Sequence, residues 1–476
     1  MAEDYYLGID IGSSSLKVAL LSKEGDFFAR KSKKYQIKSK APGRAVHEPK
    51  KFWWDNLQDL LSDLWQEIPG DKEDIKAIGL TGLVPVFTAL NNQGEVLPEA
   101  ILHIDNRASE EAEYLQRELR LNVSTENILP TICWLAQQKP SLFQEIDTVL
   151  SPHGYLVYRL TGEKTLDKDS ALMIGEIYNP KDNSWAEPVL EKLGLAKSLF
   201  PLPQGAAKIA GGVTKKVAEE TGLPAGVPVI TGTGDSFATL LGSGTYNPEQ
   251  ALIYLGTSAT YIKLDSSVDN YINKPHFKAG RARFLTKVLS CGESLEKLSR
   301  TFNRGLEELN KAAANLVLSE SPPLFYPDFR SRQASGLLGT GALLLNWQIN
   351  QGYPHLYRAL LESIAFRLAR AHFSQDKLPQ EINICGGCTQ SELFLKIIAN
   401  FCQQKVRHIP EAGADLGACL IASRAVGDLA IADWKNILDR FASNNVIPEL
   451  EQKKYYNQLY EKYQHQEKLL TKVKYN

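Results

Sequence analysis

Two hydrophobic periods alternate along the chain. Apolar residues at the 3.6-residue spacing of a helix run through HLYRALLESIAFRLARAH and recur near the C-terminus at Tyr456, Leu459, Tyr460 and Tyr463. Between such segments, short apolar runs predict strands at residues 6–11, 16–21, 75–80, 227–231, 251–255 and 381–385. Alternating strands and helices are typical of the α/β class.

A polar turn interrupts the first two strands. In LGIDIGSSSLKVALL, residues Gly12, Ser13 and Ser14 separate an apolar run that contains Asp10 from a second run that begins at Leu16. The backbone N–H groups and hydroxyls of such a tight turn converge on one point, which suits a phosphate oxygen. Because a glycine followed by serines is most often an ordinary hairpin turn, a single copy is weak evidence.

The same pattern occurs twice. IDIGSSSLKVAL, at residues 9–20, is matched by IYLGTSATYIKL, at residues 253–264, and their glycines are 244 positions apart. The second turn consists of Gly256, Thr257 and Ser258. The repeat indicates an internal duplication. We expect its two turns to bind one polyphosphate between them.

A segment of turn-forming residues separates the two copies. LGSGTYNPEQ, at residues 241–250, combines glycine, proline and asparagine between two apolar segments. We therefore predict an N-terminal domain of residues 1–245 and a C-terminal domain of residues 246–476, in keeping with a length of 476 residues.

Two charged residues lie close to the first turn. Asp10 is a carboxylate between apolar neighbours, where it needs a cation as partner. We therefore expect the first turn to bind Mg²⁺ through Asp10. Lys17 either reaches the same phosphates or is a solvated lysine at a strand edge.

Composition excludes several classes of protein. With 43% hydrophobic and 23% charged residues and a formal net charge of -1, the chain offers no electrostatic reason to bind nucleic acid or an anionic membrane. The beginning, MAEDYYLGID, is acidic where a signal peptide is basic, and no run of about 18 apolar residues occurs. We expect a cytoplasmic enzyme.

Six cysteines, among them the CxxC pair Cys385 and Cys388, are too few for a disulfide framework. No second Cys or His pair completes a zinc site, so buried thiols are the plain interpretation, and a redox role stays open.

Other nucleotide motifs are absent. The chain has no GxxxxGK[ST], and VITGTGDSFATLLGSG lacks the third glycine of the dinucleotide fingerprint. In that segment Asp235 follows an apolar run, which places it at the exit of a strand into a loop, where glycines let a substrate approach. An aspartate that caps a turn is the alternative.

The order of the motifs resembles the FGGY family of carbohydrate kinases, in the superfamily of sugar kinases, actin and heat-shock-70 ATPases. The similarity runs along almost the whole chain through GIDIGSSSLKVAL, PGRAVHEPKKFWWD, IKAIGLTGLVPVF, AILHIDNRA, LPTICWLAQQKP, SPHGYLVYRLTGE, TGTGDS, YLGTSATY, HLYRALLES and ICGGCTQSELFLKIIANFCQQKV. The resemblance implies two ribonuclease-H-like α/β domains, of the actin-like ATPase type, with a central cleft.

The resemblance also implies roles for the residues of the motifs. ATP and Mg²⁺ would be the cofactors, with Asp235 as the catalytic base and Asp10 together with Asp235 at the metal. The phosphates would contact Gly12, Ser13, Ser14, Lys17, Gly256, Thr257 and Ser258, and the adenosine would lie against Gly386 and Gly387.

On the substrate side, the resemblance assigns Asp105, Arg107, Val84 and Pro85 to a small sugar or polyol, most simply a ketopentose such as xylulose or ribulose. GLTGLVPVF departs from the family, because xylulose kinases carry a Gln-Met-His segment there that contacts the sugar. The sequence does not fix the oligomeric state, and a homodimer is one open alternative. Two alternatives stay open: a sugar sensor without catalysis, and an actin- or heat-shock-70-like ATPase that acts on a protein partner.

Overall fold

The computed structural model describes residues 4–39, 41, 43–67, 72–264, 282–288, 291–319, 321–327, 342–443 and 445–470. These form two compact units. The first unit contains the described residues up to Gly244 together with Gly413–Arg440, and the second contains those from Thr245 to Ala412 together with the residues from Phe441 on. Within the described part of the chain, no helix is long and apolar enough to span a membrane.

The strands of the first unit are β1 (Tyr5–Ile11), β2 (Ser15–Ser22), β3 (Phe27–Lys34), β4 (Val46–His47), β5 (Ile75–Gly82), β6 (Val86–Asn91), β7 (Ala100–Leu102), β8 (Ile146–Leu150), β9 (Tyr178–Asn179), β10 (Ser184–Trp185), β11 (Ile209–Gly212), β12 (Pro228–Ile230) and β13 (Thr233–Gly234). Those of the second unit are β14 (Gln250–Leu255), β15 (Ala259–Leu264), β16 (Ala282–Val288), β17 (Leu324–Tyr326), β18 (Leu343–Leu345), β19 (Glu381–Cys385), β20 (Val406–His408) and β21 (Asn445–Val446).

The helices, in chain order, are α1 (Asn56–Leu64), α2 (Ser109–Leu119), α3 (Ile128–Gln138), α4 (Pro140–Glu145), α5 (Pro152–Thr161), α6 (Lys168–Gly175), α7 (Glu187–Lys192), α8 (Lys215–Thr221), α9 (Asp235–Gly242), α10 (Gly292–Phe302), α11 (Leu306–Ala314), α12 (Tyr353–Phe373), α13 (Glu392–Cys402), α14 (Ala414–Ala425), α15 (Ile431–Phe441) and α16 (Lys453–Leu470). The predicted strands and both predicted amphipathic helices, α12 and α16, are confirmed.

The main sheets of the two units have the same topology. In the first unit the strand order is β3-β2-β1-β5-β12-β11, with β13 beside β5, and in the second it is β16-β15-β14-β19-β20-β21. In both, two antiparallel pairs are followed by two parallel pairs and a final antiparallel pair. The repeat that the sequence shows in two hairpins therefore extends to whole sheets.

The central strand of the first sheet is covered on both faces. All seven residues of β1 are buried, as expected of a strand with layers packed on each side of the sheet. On one face Trp53, Leu57 and Leu61 belong to an apolar core with Leu7 and Ile9.

The other face is covered by a helix from far along the chain. A Cβ on Gly8 would lie 2.1 Å from the Asp415 carbonyl oxygen, and one on Gly79 would lie 2.0 Å from that of Ala418. Gly8 and Gly79 are paired across β1 and β5, so α14 rests directly on the backbone of both strands. A Cβ on Gly417 would lie 1.9 Å from the Ala238 carbonyl oxygen, which brings α9 equally close to α14.

Candidate active site

The turn between β1 and β2 is closed by its own backbone. Gly12 N–H donates to the Ser15 carbonyl oxygen over 2.9 Å. Ser13 and Ser14, at the tip, are exposed. The predicted hairpin is confirmed, and its polar tip faces solvent.

Tyr35 and His47 hold this turn from behind. Tyr35 donates its hydroxyl to the Gly12 oxygen over 2.6 Å and its N–H to the Ser14 oxygen over 2.9 Å, while His47 Nε2 lies 3.1 Å from the Ser13 oxygen. Because C=O and N–H of a trans peptide point in opposite directions, the N–H groups that follow these carbonyls point away from Tyr35 and His47. The turn thus offers a row of donors to an anion. Sequence reasoning missed both residues, since only their contacts reveal them.

Asp10 lies at the base of the same hairpin. It is 3% exposed, pairs with Lys17 in the strand register, and its Oδ2 is 3.4 Å from Lys17 Nζ. Its Oδ1 is buried and has no hydrogen-bond partner among the described residues. Burial raises the pKa of Asp10, with Lys17 opposing that shift.

The environment of Asp10 fits a Mg²⁺ ion whose other ligands are phosphate oxygens and water. Among the residues that the structure describes, no group of three or more His, Cys, Asp or Glu side chains is placed to hold a metal ion. Mg²⁺ in kinases is commonly held by one or two carboxylates, with phosphate oxygens and water completing the octahedron. The orphaned Asp10 oxygen is suited to such a site.

Asp235 begins a helix instead of a loop, which corrects the predicted position in one detail. It is the first residue of α9 and follows β13, and it is half-buried. Its Oδ1 accepts a hydrogen bond from the Ser236 N–H over 2.7 Å. Burial, followed by the charge of Asp10, raises the pKa of Asp235 to about 7. A carboxylate with such a pKa is well matched to proton transfer near neutrality.

Three parallel strands bring Asp10 and Asp235 to one edge of the sheet. Asp10 in β1 is aligned with Thr81 in β5, and Thr81 is in turn aligned with Thr233 in β13. Asp235 follows Thr233 by two residues. The carboxyl ends of parallel strands commonly carry the ligand sites of α/β folds, and the effect of Asp10 on the pKa of Asp235 reflects this proximity.

A buried polar network supports the strand that leads to Asp235. Thr233 donates to Asp169 Oδ2 over 2.8 Å, and His153 Nε2 lies 2.7 Å from Asp167 Oδ2. The charge of Asp167 adds to burial in raising the pKa of Asp169 to about 7. The sequence analysis gave none of these residues a role, because only their contacts across the fold reveal the network.

Val84 lies beside the segment that presents Asp235. A Cβ on Gly234 would come within 2.6 Å of Val84 Cγ2. Val84 and Pro85 link β5 to β6, and neither side chain can donate or accept a hydrogen bond. The surface next to Asp235 is therefore partly apolar.

Asp105 and Arg107 brace their own loop. Arg107 donates Nε to Asp105 Oδ1 over 2.8 Å and Nη2 to Oδ2 over 2.6 Å, and Ala45 N–H donates to Oδ2 over 2.7 Å. Burial alone would raise the pKa of Asp105, but these donors lower it overall. The Asp105 side chain is fully buried, so the structure gives it a structural role, and a direct contact with sugar stays a prediction.

Trp134 adds an aromatic wall to that loop. The guanidinium groups of Arg44 and Arg107 lie 5.3 and 5.2 Å from its ring centroid, within the range of cation–π attraction. Arg44 was not singled out from the sequence.

In the second unit, the turn between β14 and β15 repeats the first, but its closing hydrogen bond spans one residue fewer. Gly256 N–H donates to the Ser258 carbonyl oxygen over 2.9 Å, and Thr257, at the tip, is exposed. Tyr254, two residues before Gly256, occupies the place that Asp10 has before Gly12. This second turn can supply donors but no carboxylate.

The predicted adenosine loop adjoins that turn. Gly386 has a φ of 106° and lies so close to β14 that a Cβ would be 2.5 Å from the Leu255 carbonyl oxygen. Both constraints require glycine. Gly387 is exposed, with no atom within 4 Å of where its Cβ would be, which leaves room for a flat ligand.

Comparison of whole structures defines the class of protein. Xylulose kinase from Lactobacillus acidophilus superposes with a TM-score of 0.86 at 21% identity, covering 99% of both chains. Glycerol kinase from Plasmodium falciparum, solved with ADP, gives 0.81 at 18%, also over 99% of both. The chain therefore has a two-domain α/β fold of the actin-like ATPase type, and the predicted fold class is confirmed.

The chain belongs to the FGGY family of carbohydrate kinases. The family's N-terminal domain matches residues 5–242 and its C-terminal domain matches residues 252–426. Xylulose kinase of Escherichia coli is 27% identical over 91% of this chain and 92% of its own. A probable L-xylulose kinase of Pasteurella multocida is 26% identical over 99% of both chains. The protein is thus an ATP-dependent carbohydrate kinase, and neither the sensor nor the protein-directed ATPase gains support.

Proposed function

We propose that this kinase transfers the γ-phosphoryl group of Mg-ATP to one hydroxyl of a ketopentose such as xylulose or ribulose. Relatives with the name xylulose kinase over nearly the full length of the chain support the substrate class. The observation that carries the chemistry is the pair Asp10 and Asp235, which lie at the same edge of one sheet and have raised pKa values.

Asp235 is the proposed general base. It takes the proton of the attacking hydroxyl as the oxygen bonds to phosphorus, and its position at the first residue of α9 fixes the carboxylate near the strand ends. In phosphoryl transfer, positioning and charge stabilisation provide most of the rate enhancement. The base therefore has only to orient one hydroxyl and accept its proton.

The first turn is the proposed site for the β- and γ-phosphates. Ser13 and Ser14 supply backbone and hydroxyl donors beside Gly12, whose own N–H closes the turn, and Lys17 supplies a positive charge. Asp10 is the proposed ligand of Mg²⁺, with Asp235 as a second candidate oxygen. When bound, the ion would neutralise charge that develops on the phosphate oxygens.

The second unit is the proposed location of the other nucleotide contacts. We assign Gly256, Thr257 and Ser258 to phosphate oxygens and Gly386 and Gly387 to adenosine. The exposed tip at Thr257 and the open side of Gly387 support this assignment. In this proposal residues 1–245 carry the sugar and the first phosphate turn, and residues 246–476 carry the second turn and the adenosine.

Val84 and Pro85 are proposed to form the apolar side of the sugar site, next to Asp235. Asp105 and Arg107 form its polar side, either by contact with sugar or by fixing the loop that they brace. Because Val84 and Pro85 make no hydrogen bonds with a sugar, we expect specificity to differ from that of a kinase with polar residues there. A cytoplasmic location remains the expectation from the sequence, with a homodimer as one open alternative for the assembly.

The test is ADP release by the purified protein with Mg-ATP. The panel contains ketopentoses, aldonates, tetritols, glycerol and hexuloses, each assayed with the wild-type chain and with Asp235→Asn. One ketopentose that stimulates the wild type but not the variant would support both the substrate and the base. Stimulation by glycerol or an aldonate alone would overturn the substrate class, and a variant with wild-type turnover would overturn the base.

A further inference from the structure

Two cysteines from distant parts of the chain meet beside the second turn. Cys291 lies immediately before α10, and Cys388 follows Gly387 in a short 3₁₀ turn. A Cβ on Gly292, the residue after Cys291, would lie 3.2 Å from Cys388 Sγ. Cys388 is thus placed against Cys291, a residue that the CxxC spacing does not indicate.

Both cysteines touch the backbone of the proposed phosphate turn. Cys291 N–H donates to the Thr257 oxygen over 2.8 Å, and Gly292 N–H donates to the Gly256 oxygen over 3.0 Å. Cys388 Sγ donates to that same Gly256 oxygen over 3.5 Å. The Cys388 thiol and the backbone N–H that follows Cys291 therefore meet at one carbonyl group of the turn.

The environments of the two thiols differ, which suits a reaction in which one thiol attacks first and the other second. Cys388 is half-buried, whereas Cys291 is fully buried. Their mutual hydrogen bond lowers the pKa of Cys388, and together with burial it raises the pKa of Cys291. A partly exposed thiol with a lowered pKa is the better nucleophile towards an external disulfide.

We propose that Cys291 and Cys388 form a reversible disulfide that weakens binding of ATP. The effect on ATP rests on the proposed function of the Gly256 turn and the Gly386 loop, whereas the bond itself does not. A small disulfide, R–S–S–R, is the oxidant. The Cys388 thiolate attacks one sulfur and releases RS⁻, which gives a mixed disulfide. The Cys291 thiol then loses its proton and attacks Cys388 Sγ, which releases the second RS⁻.

Two protein thiols are thereby oxidised to one disulfide, and the reagent is reduced to two thiols. A disulfide sulfur carries no hydrogen, so the bond from Cys388 to the Gly256 oxygen is lost. Closing an S–S bond of about 2.05 Å also draws the 3₁₀ turn and the start of α10 together. Both changes disturb the turn that is proposed to contact phosphate.

The experiment treats the full-length protein with oxidised glutathione and measures free thiols after denaturation, disulfide-linked peptides by mass spectrometry, and KM for ATP. We expect free thiols to fall from six to four, a peptide linked through Cys291 and Cys388, and a KM for ATP at least fivefold higher, restored by dithiothreitol. Thiol counts and linked peptides test the disulfide without any turnover. A reduced protein without kinase activity would overturn the proposed function but would leave the test of the disulfide intact.

Three variants make the assignment specific. Cys291→Ala and Cys388→Ala should each lose the linked peptide and the change in KM, with each variant compared with its own reduced form. Cys385→Ala, which removes the other cysteine of the CxxC motif, should keep both. Six remaining thiols in oxidised wild type, a peptide linked through Cys385, or a disulfide without any change in KM would overturn the proposal.

Discussion

Arg30 and Asp415 are 385 residues apart in sequence and form a two-pronged ion pair. Arg30 Nε lies 2.5 Å from Asp415 Oδ2, and Nη2 lies 2.6 Å from Oδ1. The Asp415 side chain is fully buried, and Arg30 lowers its pKa against the effect of burial. The pair fixes the start of α14 to β3, and with it the face of the sheet that presents Asp10.

Replacement of Arg30 by leucine should destabilise the first unit strongly. It leaves a buried carboxylate without a partner, which costs about 3–5 kcal/mol in the free energy of unfolding. Urea unfolding followed by tryptophan fluorescence measures the change. Lys31→Leu is the matched control on the same strand, because Lys31 pairs with the exposed Glu67 and such pairs contribute about 0–1 kcal/mol. Equal losses in the two variants would contradict a special role for Arg30.

Asp235→Asn should abolish most turnover and spare nucleotide binding. Loss of a general base lowers kcat by about 10²- to 10⁴-fold. ADP release gives kcat, and titration with a fluorescent ATP analogue gives Kd, which should change less than about threefold if Asp235 makes no essential nucleotide contact. Asp63→Asn, an exposed aspartate of α1, is the control. A Kd that rises as steeply as kcat falls would instead favour a ligand of the metal–nucleotide complex.

Asp10→Asn should alter the requirement for Mg²⁺. An amide keeps one oxygen but loses the charge that a divalent cation needs, so the half-saturating Mg²⁺ concentration should rise at least tenfold at fixed ATP. The measurement is ADP release against Mg²⁺ concentration. An unchanged titration with a lower kcat would show that Asp10 acts only through Lys17, its partner at 3.4 Å.

His47 should make the protein less stable in mild acid. A carbonyl oxygen only accepts, so Nε2 carries the hydrogen towards Ser13 O, and Nδ1 is buried without a partner among the described residues. Burial lowers the pKa of His47 from 6.5 to about 4. The unfolded chain therefore binds the proton first, and stability falls as pH drops from 6.5 towards about 4, by about 3 kcal/mol in total.

The check is urea unfolding at neutral pH and at about pH 5, for wild type and for His47→Gln, whose amide can still donate to Ser13 O. We expect protonation of His47 to lower the free energy of unfolding of the wild type by about 2 kcal/mol at about pH 5 relative to neutral pH. The variant should not show this loss. Parallel losses in both proteins would place the acid sensitivity elsewhere.

The sequence predicted the strands and the two hairpins because apolar runs and glycine turns are local signals. It placed Asp235 at a strand exit but missed that α9 begins there, since no Ser, Thr or Asn cap precedes the helix. The pairing of Cys388 with Cys291 and the support of the first turn by Tyr35 and His47 are contacts across the fold. No periodicity along the chain can reveal such contacts.

The position of α14 was likewise beyond sequence reasoning. Its contact with β1 and β5 depends on Gly8 and Gly79, which lie inside predicted strands and offer no side chain to a pattern of polar and apolar residues. Only the three-dimensional pairing of these glycines explains why a helix can lie on the backbone there.

The same helix sets the order in which the protein can be completed during synthesis. Translation produces β1 near the start and α14 only after residue 413, so the sheet face around Gly8 and Gly79 has no cover while the intervening chain is made. The first unit therefore becomes complete only after the strands of the second unit up to β20 have been synthesised. A nascent chain released before α14 would leave that face of the sheet uncovered, which makes it a natural target for chaperones and proteases.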